Sequence, residues 1–220
     1  MVPSSWSSFS HSADKWVRKT AFYHLKQFLW RIVQFFVPFR KARDHSPARK
    51  AAYQKAAARR GKLRMSWVIP GKLAVGGSPQ PGDSAVLAQA NIRVVLSLCA
   101  NSEEPLPEDV SQSFRCLRLV LPDSHYRSEM KPSQLMAAVD MIQHSIEHHL
   151  PIYVHCLAGI ERSPTVCIAY LCRYRNLELW EALNWLKQVH PLSMPTESQL
   201  RAVLALLREY PYPQDRKIKT

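Results

Sequence analysis

The sequence predicts an α/β protein, with a central mixed sheet flanked by helices and a basic helical extension at the N-terminus. After residue 65, short apolar runs alternate with longer stretches of helical periodicity, the pattern of a chain that alternates strands and helices. The 220 residues are 46% hydrophobic, enough to bury a full core. Residues 1–64 contain 15 basic and two acidic residues, whereas residues 65–220 contain 15 of each. This charge division predicts an extension over 1–64 and one domain over 65–220.

Four strands and four helices are predicted in the domain. The strands are short apolar runs at residues 72–75, 92–98, 116–121 and 151–155. The helices cover residues 133–149, 162–174, 179–189 and 197–210, with a turn between Pro191 and Pro195. The first helix has apolar residues at near-helical spacing, and Pro132 suits its first turn.

The most informative segment is residues 155–163, HCLAGIERS, which follows the last strand and precedes a helix. A loop in that position turns backbone N–H groups inward, and the helix dipole adds positive charge, so that it can hold a phosphate dianion. Cys156 would lie at its base as a thiolate nucleophile. The planar guanidinium of Arg162 can hold two phosphate oxygens and stabilise the charge of the transition state, and Gly159 permits the tight turn. A chance pairing with an inert buried cysteine is the less favoured interpretation.

The run from His155 to Tyr170, HCLAGIERSPTVCIAY, resembles the cysteine-dependent protein tyrosine phosphatase superfamily, most closely the small dual-specificity phosphatases. The resemblance implies a catalytic domain over 65–220 that hydrolyses phosphomonoesters through a cysteinyl-phosphate intermediate, without a metal ion or cofactor. Cys156 would be the nucleophile, Ser163 would assist the thiolate as leaving group, and His155 would orient the loop. The phosphate would be held by Leu157, Ala158, Gly159, Ile160, Glu161 and Arg162.

The resemblance also implies a general acid on a loop before the cysteine. Asp123 ends a strand-like segment and precedes Cys156 by 33 positions. Such a carboxylic acid would protonate the leaving group, and the carboxylate would then activate water against the phosphocysteine. Asp123 as a simple turn residue before Ser124 is the alternative, and His125 is a weaker candidate for the acid.

The predicted substrates are phosphotyrosine and phosphoserine or phosphothreonine of proteins. Residues 157–161 lack lysine and arginine and include Glu161. Relatives that act on inositol lipids tend to carry basic residues there, so polyphosphorylated lipids are disfavoured, whereas a lipid monophosphate is not. The segment before Asp123 also lacks the tryptophan of the tyrosine-specific enzymes. Two alternatives stay open: a phospholipid monophosphate phosphatase at a membrane surface, and a non-catalytic adaptor that binds phosphate.

The extension predicts a basic amphipathic helix over residues 16–39, followed by a basic, alanine-rich stretch over 40–64. No apolar run reaches the ~20 residues that span a bilayer. The pattern favours contact of residues 15–64 with an anionic membrane surface. Alternatives are docking on the catalytic domain, binding of a partner protein, and a cleaved organelle-targeting peptide. Nucleic acid is a less favoured partner. One helix side carries Leu25, Phe28, Leu29 and Ile32, and the other carries Lys19, Lys26 and Arg31.

Five cysteines without metal-binding spacing predict an intracellular, reducing compartment and no disulfide framework. Peripheral membrane and organelle locations both stay open. Cys99 or Cys116, at strand ends, is hypothesised to form a disulfide with Cys156 on oxidation. A zinc site at His144, His148 and His149 is disfavoured because the sequence suggests no further ligand.

Overall fold

The computed structural model describes residues 63–124 and 129–211. The amphipathic helix predicted over 16–39 lies outside the described residues, as do the membrane-contact segment up to residue 62 and His125.

Five short strands form one sheet in the order β1-β2-β5-β3-β4. β1 pairs antiparallel with β2, whereas β2, β5, β3 and β4 run parallel, so the predicted mixed sheet is confirmed. The register places Gly76 and Ser97 on either side of His155 at the carboxyl end of the central strand. The strands are β1 Met65–Ile69, β2 Leu73–Gly76, β3 Val94–Ser97, β4 Arg115–Arg118 and β5 Ile152–His155.

Within residues 63–124 and 129–211, six helices flank the sheet. The longest begins with Pro132 at its first position, where the missing N–H costs no hydrogen bond. The last is capped by Thr196, whose hydroxyl accepts a hydrogen bond from the Gln199 amide at 3.1 Å. The helices are α1 Ser84–Gln89, α2 Glu108–Ser113, α3 Pro132–Glu147, α4 Arg162–Arg175, α5 Leu179–Val189 and α6 Glu197–Glu209.

The sheet is buried on both faces because its side chains alternate between two apolar clusters. Ile152 and Val154 of β5 pack with α3, α4, α5 and α6, whereas Tyr153 packs with α1 and α2. Parallel strands that are covered on both faces read as continuous apolar runs, which is how the sequence revealed β3 and β5. The carboxyl ends of these strands meet at one edge, where open α/β sheets place their ligands.

Three elements were not predicted, and three strands are shorter than predicted: β3 covers 94–97 instead of 92–98, β4 covers 115–118 instead of 116–121, and β5 covers 152–155 instead of 151–155. β1 was missed, and α1 and α2, with six residues each, are too short to show helical periodicity. The strand predicted over 116–121 ends at Arg118, and the chain then follows the end of β3 through backbone bonds. Leu119 N donates to Ser97 O at 3.0 Å, and Leu121 N to Leu98 O at 3.1 Å. These bonds carry the chain toward Asp123.

Candidate active site

The segment 156–161 connects the end of β5 to the start of α4, so Cys156 lies between the central strand and a helix N-terminus. Cys156 is buried, with 2% of its surface exposed. Its Sγ lies 3.3 Å from Ser163 Oγ, and that hydroxyl lies 3.0 Å from Gly76 O. Ser163 has one hydrogen and two acceptors within reach, so it can bond the Gly76 carbonyl or a thiolate on Cys156.

Arg162 is buried beside two carboxylates. Its Nη1 donates to Glu103 Oε2 at 2.9 Å, its Nη2 donates to Glu103 Oε1, and Nη2 also lies 2.9 Å from Asp123 Oδ2. Burial alone would lower the pKa of Arg162, but the Glu103 hydrogen bonds and nearby anionic groups raise it above its usual value. The guanidinium is therefore a permanent cation at the N-terminus of α4.

Glu103 was not predicted, although it binds Arg162 through both carboxylate oxygens. Its hydrogen bond from Arg162 lowers the pKa of Glu103, so this carboxyl group is ionised at neutral pH. Arg118 holds the loop that carries it, since Nη1 donates to Cys99 O at 2.6 Å and to Glu104 O at 3.4 Å. The sequence signal that could have revealed Glu103 is the acidic pair Glu103-Glu104, which follows the end of the parallel strand β3.

Asp123 joins this group from the loop after β4. Its side chain is 7% exposed and forms an ion pair with Arg162. The structure therefore brings together Cys156, Ser163, Arg162 and Asp123, the four residues for which the sequence predicts catalytic roles.

His155 precedes the loop and is completely buried. Its Nδ1 lies 3.4 Å from Cys156 O, and its ring stacks on Tyr153 with 5.8 Å between ring centroids. Burial lowers the pKa of His155 to about 4, so the ring is neutral at physiological pH. A neutral, fixed ring suits a residue that orients the loop.

Three carbonyl groups of the loop accept hydrogen bonds from residues outside it, and this side is called the outer side. Ser78 N donates to Leu157 O at 3.0 Å, His190 Nε2 lies 2.8 Å from Gly159 O, and Met194 N donates to Ile160 O at 2.7 Å. In a trans peptide the N–H points away from the C=O. The amides that follow these carbonyls, at residues 158, 160 and 161, therefore point to the inner side of the loop. His190 and Met194 are a second contribution that sequence reasoning missed.

Gly159 has a backbone conformation and surroundings that only glycine fits. Its φ is +71°, and a Cβ at this position would lie 2.5 Å from the carbonyl carbon of Gly76 and 2.6 Å from Gly77 N. The loop thus packs backbone to backbone against the end of β2. The next two residues, Ile160 and Glu161, are buried, and Leu157 and Ala158 are half-buried.

Glu161 O accepts hydrogen bonds from Thr165 N at 3.0 Å and from Thr165 Oγ1 at 2.7 Å, which start α4. The Glu161 side chain is 1% exposed. Within residues 63–124 and 129–211, no group of three or more His, Cys, Asp or Glu is arranged to hold a metal ion. No helix over these residues is both long and apolar enough to cross a membrane.

Comparison with known proteins places the chain in a family. The family described as "Dual specificity phosphatase, catalytic domain" matches residues 75–209. Dual specificity protein phosphatase Mpk3 of Drosophila melanogaster is 31% identical over 144 residues, which are 61% of this chain and 34% of that protein. Phosphatidylglycerophosphate phosphatase PTPMT1 of Arabidopsis thaliana is 26% identical over 130 residues, 59% of this chain and 39% of that protein. The chain thus spans about a third of the length of these relatives.

Solved structures show the same fold. The crystal structure of PTPMT1 has a TM-score of 0.60 at 20% identity and covers 71% of this chain and 100% of its own. The crystal structure of Tk-PTP in its active form has a TM-score of 0.59 at 23% identity and covers 66% of this chain and 96% of its own. The resemblance seen in residues 155–170 is therefore confirmed at the level of family and fold.

Proposed function

Because the chain belongs to the dual specificity phosphatase catalytic-domain family, we propose that it hydrolyses phosphotyrosine and phosphoserine or phosphothreonine of proteins through a cysteinyl phosphate. One observation carries the proposal: a nucleophile, an anion-binding cation and a carboxyl group meet at the end of β5. Cys156 Sγ lies 3.3 Å from Ser163 Oγ, and Arg162 Nη2 lies 2.9 Å from Asp123 Oδ2. The catalytic domain is proposed to cover 65–220.

In the first step the substrate phosphate occupies the inner side of the loop. Its oxygens accept hydrogen bonds from the inward amides and replace Asp123 on Arg162, while Glu103 keeps the guanidinium in place. Cys156 Sγ then attacks phosphorus, so that an S–P bond forms and the P–O bond to the leaving group breaks. Asp123, in its protonated form, gives its proton to the leaving oxygen.

In the second step water releases the phosphate. The Asp123 carboxylate takes a proton from a water molecule, whose oxygen attacks phosphorus as the S–P bond breaks. The electron pair returns to Cys156, and Ser163 can donate its hydrogen bond to the departing thiolate instead of to Gly76 O. The products are inorganic phosphate and an enzyme ready for the next cycle.

A second candidate substrate is a phospholipid monophosphate. Two observations favour it: the similarity to a phosphatidylglycerophosphate phosphatase of Arabidopsis thaliana at 26% identity, and the basic amphipathic pattern of the extension. The absence of lysine and arginine among residues 157–161 argues against lipids with several phosphates. We rank protein substrates first because Dual specificity protein phosphatase 14 of Mus musculus is 46% identical over 56 residues, which are 26% of this chain.

For the extension, we propose that residues 15–64 bind an anionic membrane surface, and that the protein works in a reducing intracellular compartment. The support is the excess of 15 basic over two acidic residues within 1–64. Flotation with vesicles of phosphatidylcholine and phosphatidylserine should carry the full chain but not a chain that starts at residue 65. Equal flotation of both would contradict the proposed role of the extension.

Turnover of an aryl phosphate in the presence of EDTA tests the reaction itself. Wild-type protein should be active, Cys156→Ser inactive, and Asp123→Asn strongly impaired. Phosphotyrosine peptides, phosphoserine peptides and vesicles with phosphatidylglycerophosphate, compared by kcat/KM, then separate the substrate classes. An inactive wild type that still binds phosphate would instead support the adaptor function.

A further inference from the structure

His190 takes no part in the proposed reaction, yet its ring connects residues 156–161, the proposed phosphate loop, to the edge of the sheet. The side chain is 4% exposed. Its Nε2 lies 2.8 Å from Gly159 O, and its Nδ1 lies 3.0 Å from Ser66 Oγ on β1. A carbonyl oxygen can only accept, so Nε2 must carry the hydrogen, and Nδ1 of the neutral ring accepts from the Ser66 hydroxyl.

The surroundings favour this neutral form. Burial lowers the pKa of His190, the hydrogen bond to Gly159 opposes that shift, and the positive charge of Arg64 adds to it. The ring therefore presents one donor to the loop and one acceptor to β1, and both are used.

We infer that His190 is a positioning residue for phosphate binding, because its Nε2–H holds the Gly159 carbonyl outward and thereby keeps the Ile160 amide on the inner side of the loop. This inference rests on the proposed function of the loop. It concerns the one peptide of the loop that follows a glycine with positive φ, a residue whose backbone can adopt several conformations.

The consequence of losing this bond follows from peptide geometry. If the peptide between Gly159 and Ile160 rotated, a carbonyl oxygen would replace an N–H group on the inner side, opposite a phosphate dianion. The neighbouring peptide has its own support, since Met194 N donates to Ile160 O at 2.7 Å. The Gly159 carbonyl instead receives its bond from a side chain, so a substitution can remove it without altering the backbone.

Ser66 helps to hold the His190 ring in one orientation. It lies on β1, where it pairs with Val75 of β2, and its hydroxyl lies 3.0 Å from Nδ1, so that it helps to hold the ring with Nε2 directed at Gly159 O. Through His190, β1 thus contributes to the proposed phosphate site. Removing the hydroxyl should loosen the ring while leaving the donor present.

Matched variants can separate positioning from packing. His190→Gln places an amide nitrogen where Nε2 stands and keeps the donor to Gly159. His190→Asn has the same amide group one bond shorter and cannot reach Gly159, and Ser66→Ala removes only the second partner of the ring. His148→Asn, on an exposed helix end, is the control for an unrelated histidine.

Binding of inorganic phosphate to the full chain, measured by calorimetry, is the main readout, with thermal unfolding as the test of folding. His190→Asn should weaken phosphate binding about tenfold, the loss expected for one hydrogen bond that orients a charged ligand. His190→Gln should recover wild-type affinity to within about threefold, and Ser66→Ala should fall between the two. KM for 4-nitrophenyl phosphate should change in the same order.

Wild-type affinity in folded His190→Asn would overturn the inference, as would equal weakening in the Asn and Gln variants at the same unfolding temperature. If His190→Asn does not fold, the other two variants decide. Near-wild-type phosphate binding in His190→Gln together with weaker binding in Ser66→Ala supports the positioning role. Any other order of affinities rejects it. Because phosphate binding is measured without turnover, a wild type that binds phosphate but hydrolyses nothing would reject the proposed function and leave this inference testable.

Discussion

The inner and outer sides of the phosphate loop contact different kinds of chemical group. On the inner side, charged or reactive side chains meet: Cys156, Arg162, Glu103 and Asp123. On the outer side, the loop carbonyls are held by neutral donors, namely two backbone amides and the ring of His190. The inner side determines which reaction is feasible, and the outer side determines whether the amides face the phosphate. Substitutions on the two sides should therefore fail differently.

The largest effect is expected for Cys156→Ser. A serine hydroxyl in that place is not a competent nucleophile, so kcat should fall about 10⁴-fold or more. Phosphate binding should persist, because the amides and Arg162 are unchanged. Parallel kcat and phosphate-affinity measurements check this, and residual turnover within tenfold of wild type would exclude Cys156 as the nucleophile.

Arg162→Lys comes next. A lysine cannot bond Glu103 through two nitrogens and also contact phosphate, so kcat/KM should fall about 10²- to 10³-fold. The charge is retained, which makes the substitution a test of geometry. Steady-state kinetics would contradict the account if the lysine variant worked nearly as well as wild type.

The buried His155 makes stability depend on pH. In the unfolded chain histidine binds a proton near pH 6.5, whereas the native ring binds one only near pH 4. The contribution of the neutral His155 ring to the free energy of unfolding is thus fully present above pH 6.5. It is lost as the pH falls toward 4, and the loss amounts to roughly 3 kcal/mol. Urea unfolding at several pH values checks this, with His155→Asn as the variant expected to flatten the slope.

Asp123 and Glu103 both contact Arg162, but their proposed roles differ: Asp123 donates a proton, and Glu103 holds the guanidinium in place. Asp123→Asn should lower kcat about 10²-fold for phenyl phosphate, whose leaving group needs the proton, and less for 4-nitrophenyl phosphate, whose leaving group departs without it. Glu103→Gln should lower kcat/KM about tenfold for both substrates, because Asp123 is intact. Steady-state kinetics with the two substrates distinguish the variants, and an equal loss of kcat on both substrates in Asp123→Asn would contradict its role as the acid.

The smallest effect tests the outer side. Gly159→Ala should cost about 1–3 kcal/mol of stability and weaken phosphate binding about tenfold, since its Cβ collides with the end of β2. Gly71 provides a matched control: its φ is +66°, and a Cβ there meets nothing within 4 Å. Gly71→Ala should therefore incur the conformational strain alone and bind phosphate like wild type.

The same division explains what could be predicted from the sequence. Cys156 and Arg162 were predicted because phosphate chemistry favours those residue types at that spacing, and Ser163 was predicted because the family resemblance implies a hydroxyl after the arginine. Glu103 and His190 were missed because they lie 53 positions before and 34 after the cysteine, and an acidic or histidine residue at such a distance has many ordinary uses. β1 and the two six-residue helices were missed because short elements depend on tertiary packing more than on local pattern.

The central claim is a covalent phosphocysteine, and trapping it is the most direct test. Asp123→Asn, mixed with an aryl phosphate and quenched rapidly in acid, should accumulate one phosphoryl group on the peptide that contains Cys156, as detected by mass spectrometry. The same peptide from Cys156→Ser should remain unmodified. Wild-type turnover with no phosphoryl group on Cys156 in the trapping variant, or with the group on another residue, would contradict the account.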